Sequence, residues 1–220
     1  MKIKMKGQEK TIMIKTKNAL KHDKQRKAQK EDLENTNHTE LKTNQILKLI
    51  KNNDNKILEL FEGNGKLTSL WNTLGIVETN KGKNAYRLFH GLIFEGKKYD
   101  IIDLDPYGFP SRFFPDIFLL MDKGFIFITF PHIAVNVLNG ITKEHFRNYY
   151  DSTKPSITQI IEKINKYALC HWREIKLVDI IKMDRVFRLC FQVQKVKATE
   201  YCNVKNRPDK STVQTRLFHA

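Results

Sequence analysis

The chain has 220 residues, with 39 Lys+Arg against 24 Asp+Glu and a formal net charge of +15. Such a length suits one ordinary domain with an appendage, and 40% hydrophobic with 29% charged residues allows a sizeable core and excludes wholesale disorder. No window approaches the roughly 18–20 apolar residues of a membrane span, and the basic start MKIKMKGQEK has no apolar stretch behind it of the kind secretory signals carry, so a soluble, cytoplasmic protein with no membrane partner is expected.

The charge is concentrated at the two ends. Residues 1–36 carry a net +6 and residues 195–220 a net +4. Residues 18–36 are rich in helix formers but almost without an apolar stripe, which reads as an exposed helix or a disordered arm. Basic ends on a nearly neutral body attract polyanions, and nucleic acid is the commonest intracellular one. A solubilising tail in a Lys- and Asn-rich composition is the plainer alternative. The expected organisation is a basic arm over 1–36, a folded body over 37–196 and a basic tail over 197–220.

Asn37-His38-Thr39-Glu40 reads as a capping box, opening an amphipathic helix with Leu41, Ile46, Leu47, Leu49 and Ile50 on one side. An apolar strand over Lys56–Phe61 runs into Glu62-Gly63-Asn64-Gly65, and LTSLWNTL is helix-like. Gly75–Thr79 is a second strand. Between Asn80 and Tyr99 there is room for a helix or a strand, hardly both. Tyr99–Leu104 is a buried-type strand stopped by Asp105-Pro106-Tyr107-Gly108, Ser111–Met121 can be helical, and Gly124–Phe130 is another strand stopped by Pro131. Continuous apolar strands alternating with helices predict an α/β fold with a mostly parallel sheet. Behind Pro155, Ser156–Leu169 is an amphipathic helix. The runs Glu174–Met183 and Val186–Val196 are separated by two residues, too few for anything but an antiparallel hairpin.

Two motifs carry chemistry. In Leu58-Glu59-Leu60-Phe61-Glu62-Gly63-Asn64-Gly65, glycines after a strand allow close backbone approach to a ligand and a sharp turn into a helix. The dinucleotide fingerprint needs a third glycine where Thr68 stands, which disfavours a dehydrogenase. Glu78, ending the next strand, can accept both hydroxyls of a ribose, or can cap a helix instead. The second motif, Asp103-Leu104-Asp105-Pro106-Tyr107-Gly108-Phe109-Pro110, places two acids, aromatics and two prolines where open α/β sheets bind ligands; a plain Asp-Pro turn is the alternative. Cys170, Cys190 and Cys202 have no CxxC spacing and the seven histidines are scattered, so neither a disulfide framework nor a metal site is expected. Phe113, Phe114, Phe118, Phe125, Phe127 and Phe130 fit core positions.

Over residues 56–196 this pattern resembles the class I S-adenosylmethionine-dependent methyltransferases, a Rossmann-like fold ending in an antiparallel hairpin. DLDPYGFP is most similar to the DxDP(F/Y)GxP loop of the tRNA guanine-N2 dimethyltransferases, which are longer and carry a separate C-terminal domain. It is also similar to the (D/N)PP(Y/F) loop of exocyclic-amine methyltransferases. The resemblance implies S-adenosyl-L-methionine as cofactor, bound by Glu59, Phe61, Gly63, Gly65, Glu78 and Asp103. It implies Asp105, Pro106 and Tyr107 as catalytic residues, with Gly108, Phe109 and Arg112 toward the substrate.

The chemistry of an exocyclic amine agrees with this. Its lone pair is delocalised into the ring, and acceptors on both N–H groups draw density back onto nitrogen and orient it for in-line attack. The Asp105 carboxylate and the Pro106 carbonyl can supply those acceptors, and Tyr107 can stack on an extruded base. Carbon-5 pyrimidine methylation commonly uses a Pro-Cys pair, and no proline here precedes a cysteine. A nucleic-acid substrate is therefore expected, with RNA favoured over DNA. DNA adenine-N6 methylation, a protein or small-molecule substrate, and a silent nucleic-acid-binding module remain as alternatives, and the oligomeric state is open.

Overall fold

The computed structural model describes residues 38–106, 108–131, 143–183 and 186–196. The expectations for the arm, the tail and Tyr107 lie outside these residues. Helix α1 (Thr39–Leu49) leads into β1 (Asn55–Glu59), α2 (Lys66–Leu74) and β2 (Gly75–Thr79). Then follow α3 (Ala85–Phe94), β3 (Ile101–Leu104), two 3₁₀ turns (Pro110–Phe113 and Ile117–Leu120) and β4 (Gly124–Pro131). Helices α4 (Lys143–Tyr150) and α5 (Ile157–Cys170) precede the final hairpin, β5 (Arg173–Lys182) and β6 (Val186–Lys195).

The six strands form one sheet in the order β2-β1-β3-β4-β6-β5. The first four in that order are mutually parallel, and the hairpin joins through β6 antiparallel to β4. This is the expected Rossmann-like α/β architecture. Both faces are covered, which is why its central strands are continuous apolar runs. On one face Leu58, Leu60, Ile102, Leu104, Ile126 and Ile128 pack with α3, α4, α5 and the 3₁₀ turns. On the other, Ile57, Ile101, Phe127 and Cys190 meet Ile46 of α1 and Trp71 of α2.

The segment between β2 and β3 holds a helix, α3, and no strand, so β2 lies at the edge of the sheet. Three expectations need correcting. The segment Ser111–Met121 is two 3₁₀ turns, because Pro115 can neither donate to the α-helical ladder nor sit beside the carbonyl four residues earlier. Helix α1 starts one residue later than the capping box requires: its N-cap is His38, in the left-handed region at φ 45°, with no side-chain cap. A capping box does form at α5, between Ser156 and Gln159. Finally, Leu41 and Leu47 are exposed, and the buried stripe of α1 is Lys42, Gln45 and Ile46, continued by Ile50 at its C-cap. Helix α4 escaped the sequence reading because only Phe146 and Tyr150, one turn apart, are buried in an otherwise polar octapeptide.

The two ends of the described chain leave from opposite edges. Helix α1 begins at the carboxyl edge of the parallel strands, where the Lys42 side chain meets Asp105 just beyond β3. Strand β6 runs the other way and ends beside Arg173, at the amino edge.

Candidate active site

Strand β1 connects to β2 on one side, and the chain then returns to place β3 on the other side of β1. The crevice beyond the carboxyl ends of β1 and β3 is thus a topological switch point, the general ligand site of open α/β sheets. The loop after β1 and the loop after β3 both open there.

The loop after β1 is built on two glycines in the left-handed region, Gly63 at φ 56° and Gly65 at φ 77°. The Gly65 N–H bonds the Glu62 carbonyl at 2.8 Å, which closes the turn, and a Cβ on Gly65 would meet nothing within 4 Å. The space over Gly65 is open. Glu62 ties this loop to the loop after β2, its side chain accepting from the Lys81 N–H at 3.2 Å. Phe61 packs edge-on against Phe113.

Beneath the loop, Glu59 is 2% exposed and accepts a 2.6 Å hydrogen bond from the Thr68 hydroxyl. Thr68 therefore has a task at the position where a glycine was looked for. Burial pushes the Glu59 carboxyl up to about 7, the Thr68 bond opposes it, and the neighbouring Asp103 adds to the rise. A raised carboxyl binds its proton more tightly in the folded state. The stability it leaves intact below the ordinary carboxyl range is therefore lost as pH rises toward and past 7, by about 3 kcal/mol on the scale of such a shift. Urea unfolding of wild type and Glu59→Gln between pH 4 and 8 should give curves that diverge, the wild type alone losing this increment. Parallel curves would remove Glu59 as a buried titrating group.

Glu78, at the end of β2, is partly buried and accepts from the Tyr99 hydroxyl at 2.5 Å. That contact holds the carboxylate still, and burial together with Glu78 keeps the Tyr99 phenol strongly protonated.

Register places Glu59 of β1 beside Asp103 of β3, and Thr129 of β4 beside Arg188 of β6. Together they form a polar seam between the sheet and helices α1 and α2. The Arg188 guanidinium, fully buried, donates to Asp103 at 2.8 Å and to the Thr129 hydroxyl at 3.1 Å. The Trp71 indole N–H donates to the same Asp103 oxygen at 3.1 Å. Asp103 was expected to touch the cofactor. Its side chain is wholly enclosed in this ion pair, so it is a support beneath the site rather than part of its surface.

Asp105 lies two residues further along. The Lys42 ammonium contacts one of its oxygens at 2.6 Å, with the two side chains 6% and 17% exposed. Burial alone would raise the Asp105 carboxyl, but the charges of Lys42 and Arg188 outweigh it and hold the group below the usual carboxylate range. Pro106 follows, partly exposed. Gly108 is also partly exposed, whereas the Phe109 ring, expected toward the substrate, is packed edge-on among Phe130, Phe146, Tyr149 and Tyr150. Arg112 is exposed, its guanidinium stacked 5.1 Å from the Tyr86 ring centre.

The structure thus gathers Gly63, Gly65 and Asp105 at one crevice, sets Glu59 beneath it as a support like Asp103, and adds Lys42, Thr68, Thr129 and Arg188, which sequence reasoning missed. Arg188 had left a signal, a lone cation inside the apolar run Val186–Phe191.

No protein-family model matches the chain, and no curated protein matches its sequence. Solved structures similar in chain course include Trm1 from Pyrococcus horikoshii in complex with S-adenosyl-L-methionine, at 18% identity and a TM-score of 0.39 over 52% of this chain and 32% of that one. TYW2 from M. jannaschii in complex with AdoMet is 15% identical with a TM-score of 0.46, over 72% and 77% of the two chains. A SAM-dependent methyltransferase from Archaeoglobus fulgidus is 13% identical with a TM-score of 0.41, over 70% and 94%. The match therefore spans about a third of the Trm1 chain. Identities this low assign no residue a role. Among the described residues no helix is long and apolar enough to cross a membrane.

Proposed function

We propose that this chain is an S-adenosylmethionine-dependent methyltransferase acting on an exocyclic amino group of a nucleic-acid base, RNA favoured over DNA, in the manner of a tRNA guanine-N2 enzyme. The observation that carries the reading is Asp105: a carboxylate held ionised by Lys42, partly open to solvent, followed by Pro106, beside the glycine turn. The residues present fit the cofactor. Open space lies over Gly65, backbone at Gly63 and Gly65 can approach closely, and the Glu78 carboxylate closes β2 where a ribose would lie.

When bound, S-adenosylmethionine supplies an electrophilic methyl group on sulfonium. The chain's own residues bind and orient. Asp105 and the Pro106 carbonyl accept the two N–H groups of the target amine and leave its lone pair pointing along the line of attack. The methyl group would come from the bound sulfonium, whose sulfur would keep the C–S electron pair, and the amine proton would depart to water past the partly exposed Asp105 and Pro106. Asp105 is too acidic to keep that proton, so its part is electrostatic: it stabilises the cationic nitrogen as it forms.

The basic arm belongs to this reading as the polyanion anchor. It joins the described chain at His38, one helical turn before Lys42, on the site's side of the sheet. Deleting residues 1–36 should leave cofactor affinity unchanged, weaken nucleic-acid binding and flatten its salt dependence. Unaltered RNA and DNA affinity in the truncated protein would retire the anchor. The reading as a whole is tested by calorimetric binding of S-adenosylmethionine, followed by methyl transfer to bulk tRNA, rRNA and DNA with mass analysis of the nucleosides. Binding plus a methylated exocyclic amine supports it, and failure of the cofactor to bind the purified protein overturns it.

A further inference from the structure

We propose that Lys42 is a positioning residue of this site: its ammonium ties down one carboxylate oxygen of Asp105 and so turns the other toward the target amine. The inference rests on the amine reading above for its chemistry, and on geometry for the rest. Lys42 reaches Asp105 across 63 positions of sequence, at 2.6 Å, and is itself nearly buried. A buried lysine on a helix otherwise packed on a sheet is costly unless paired, and the partner here is an acid of the site that remains partly open.

The helix that carries Lys42 is clamped. Gln45 and Lys48 both donate to Asp179 of β5, at 2.9 and 2.8 Å, and Ile46 is fully buried between them. The ammonium is therefore placed by a rigid element rather than by a free side chain. The contact also decides geometry at the carboxylate, since an oxygen engaged by Lys42 cannot face the substrate.

The groups around Asp105 explain why its charge depends on this contact. Lys42 approaches from α1, Arg188 from β6 and the Thr129 hydroxyl from β4, while the acids Asp103 and Glu59 lie on β3 and β1. Arg188 is already committed to Asp103 at 2.8 Å. Without Lys42, burial is opposed only by Arg188 and the Thr129 hydroxyl, and Asp105 moves toward its protonated form. A protonated Asp105 would turn an O–H toward an amine that needs an acceptor.

The test follows the Asp105 side-chain carboxyl carbon by NMR in the full chain labelled with ¹³C-aspartate, the resonance being assigned by its loss in Asp105→Asn. In Lys42→Met the titration midpoint should move up by about 1–3 units, the size of shift a close opposite charge produces. Lys42→Arg should keep it low. Methyl transfer by Lys42→Met should be depressed below the new midpoint and recover as pH rises through it. A merely structural role would lower turnover equally at every pH. A midpoint that stays put, or a uniform loss, overturns the proposal. Should Lys42→Met fail to fold, Lys42→Gln is carried through the same titration, because its amide keeps a donor without the charge. If the wild type methylates no nucleic acid, the amine reading fails, and the carboxyl titration still decides whether Lys42 governs Asp105.

Discussion

Asp105→Asn should lower methyl-transfer turnover by roughly 10²–10³, the scale for losing one preorganised electrostatic contact at a developing charge, while cofactor affinity stays near wild type and the fold is kept at some loss of stability, since Lys42 loses its charged partner. The structure sharpens this expectation. Lys42 donates only, so the new side chain must turn its carbonyl oxygen to the ammonium that now sits 2.6 Å from Asp105. Its NH₂ group is then forced toward the substrate, donor against donor. The mismatch grows as the amine becomes cationic, so it acts mainly on the transition state. Single-turnover rates and calorimetric cofactor affinity on the two proteins check it. Turnover of the variant within threefold of wild type on the true substrate would reduce Asp105 to a turn-forming residue.

Arg188→Met should cost about 3–5 kcal/mol of stability, the usual penalty for removing one partner of a buried ion pair. The cation is 0% exposed, holds Asp103 and Thr129 together, and lies 5.2 Å from the Phe127 ring centre. Its loss leaves Asp103 enclosed with only the Trp71 N–H as partner. The double variant Arg188→Met with Asp103→Leu should recover much of the loss, because an apolar pair leaves no orphaned charge. Urea unfolding at constant pH measures both. A single-variant loss under about 1 kcal/mol would show that the pair is dispensable to β3 and β6.

The parts of this molecule that sequence made legible are those written in local pattern. Continuous apolar runs gave away β1, β3 and β4, and a two-residue link betrayed the hairpin. The two motif loops, at Gly63–Gly65 and after Asp103, stood out by residue type. What stayed hidden was written between distant segments. Lys42 pairs with Asp105 from 63 positions away, and Arg188 with Asp103 from 85. Helix α1 turns Lys42 and Gln45 inward because Asp105 and Asp179 wait there, so its periodicity found Ile46, Leu49 and Ile50 but wrongly added Leu41 and Leu47. The 3₁₀ turns were misread as a helix although Pro115 sits in their midst, an instance of apolar periodicity outweighing a backbone constraint.

The exit of the two chain ends from opposite edges of the sheet makes the two basic segments unequal. Strand β6, ten residues long, separates them by roughly 30 Å of extended chain. On the anchoring role proposed above, a polyanion held at the root of the 1–36 arm would lie within a turn of α1 of the crevice, and its bases would reach Asp105 at a high effective concentration without a further diffusional encounter. The tail joins the body a full strand-length away, on the far rim, and the same grip at its root would confer no such advantage unless the polymer wrapped around the whole body. The points where the two segments join the sheet would therefore give them unequal leverage: the arm, which also has the larger net charge, would shorten the search for the crevice, and the tail would hold the polymer without bringing it any nearer.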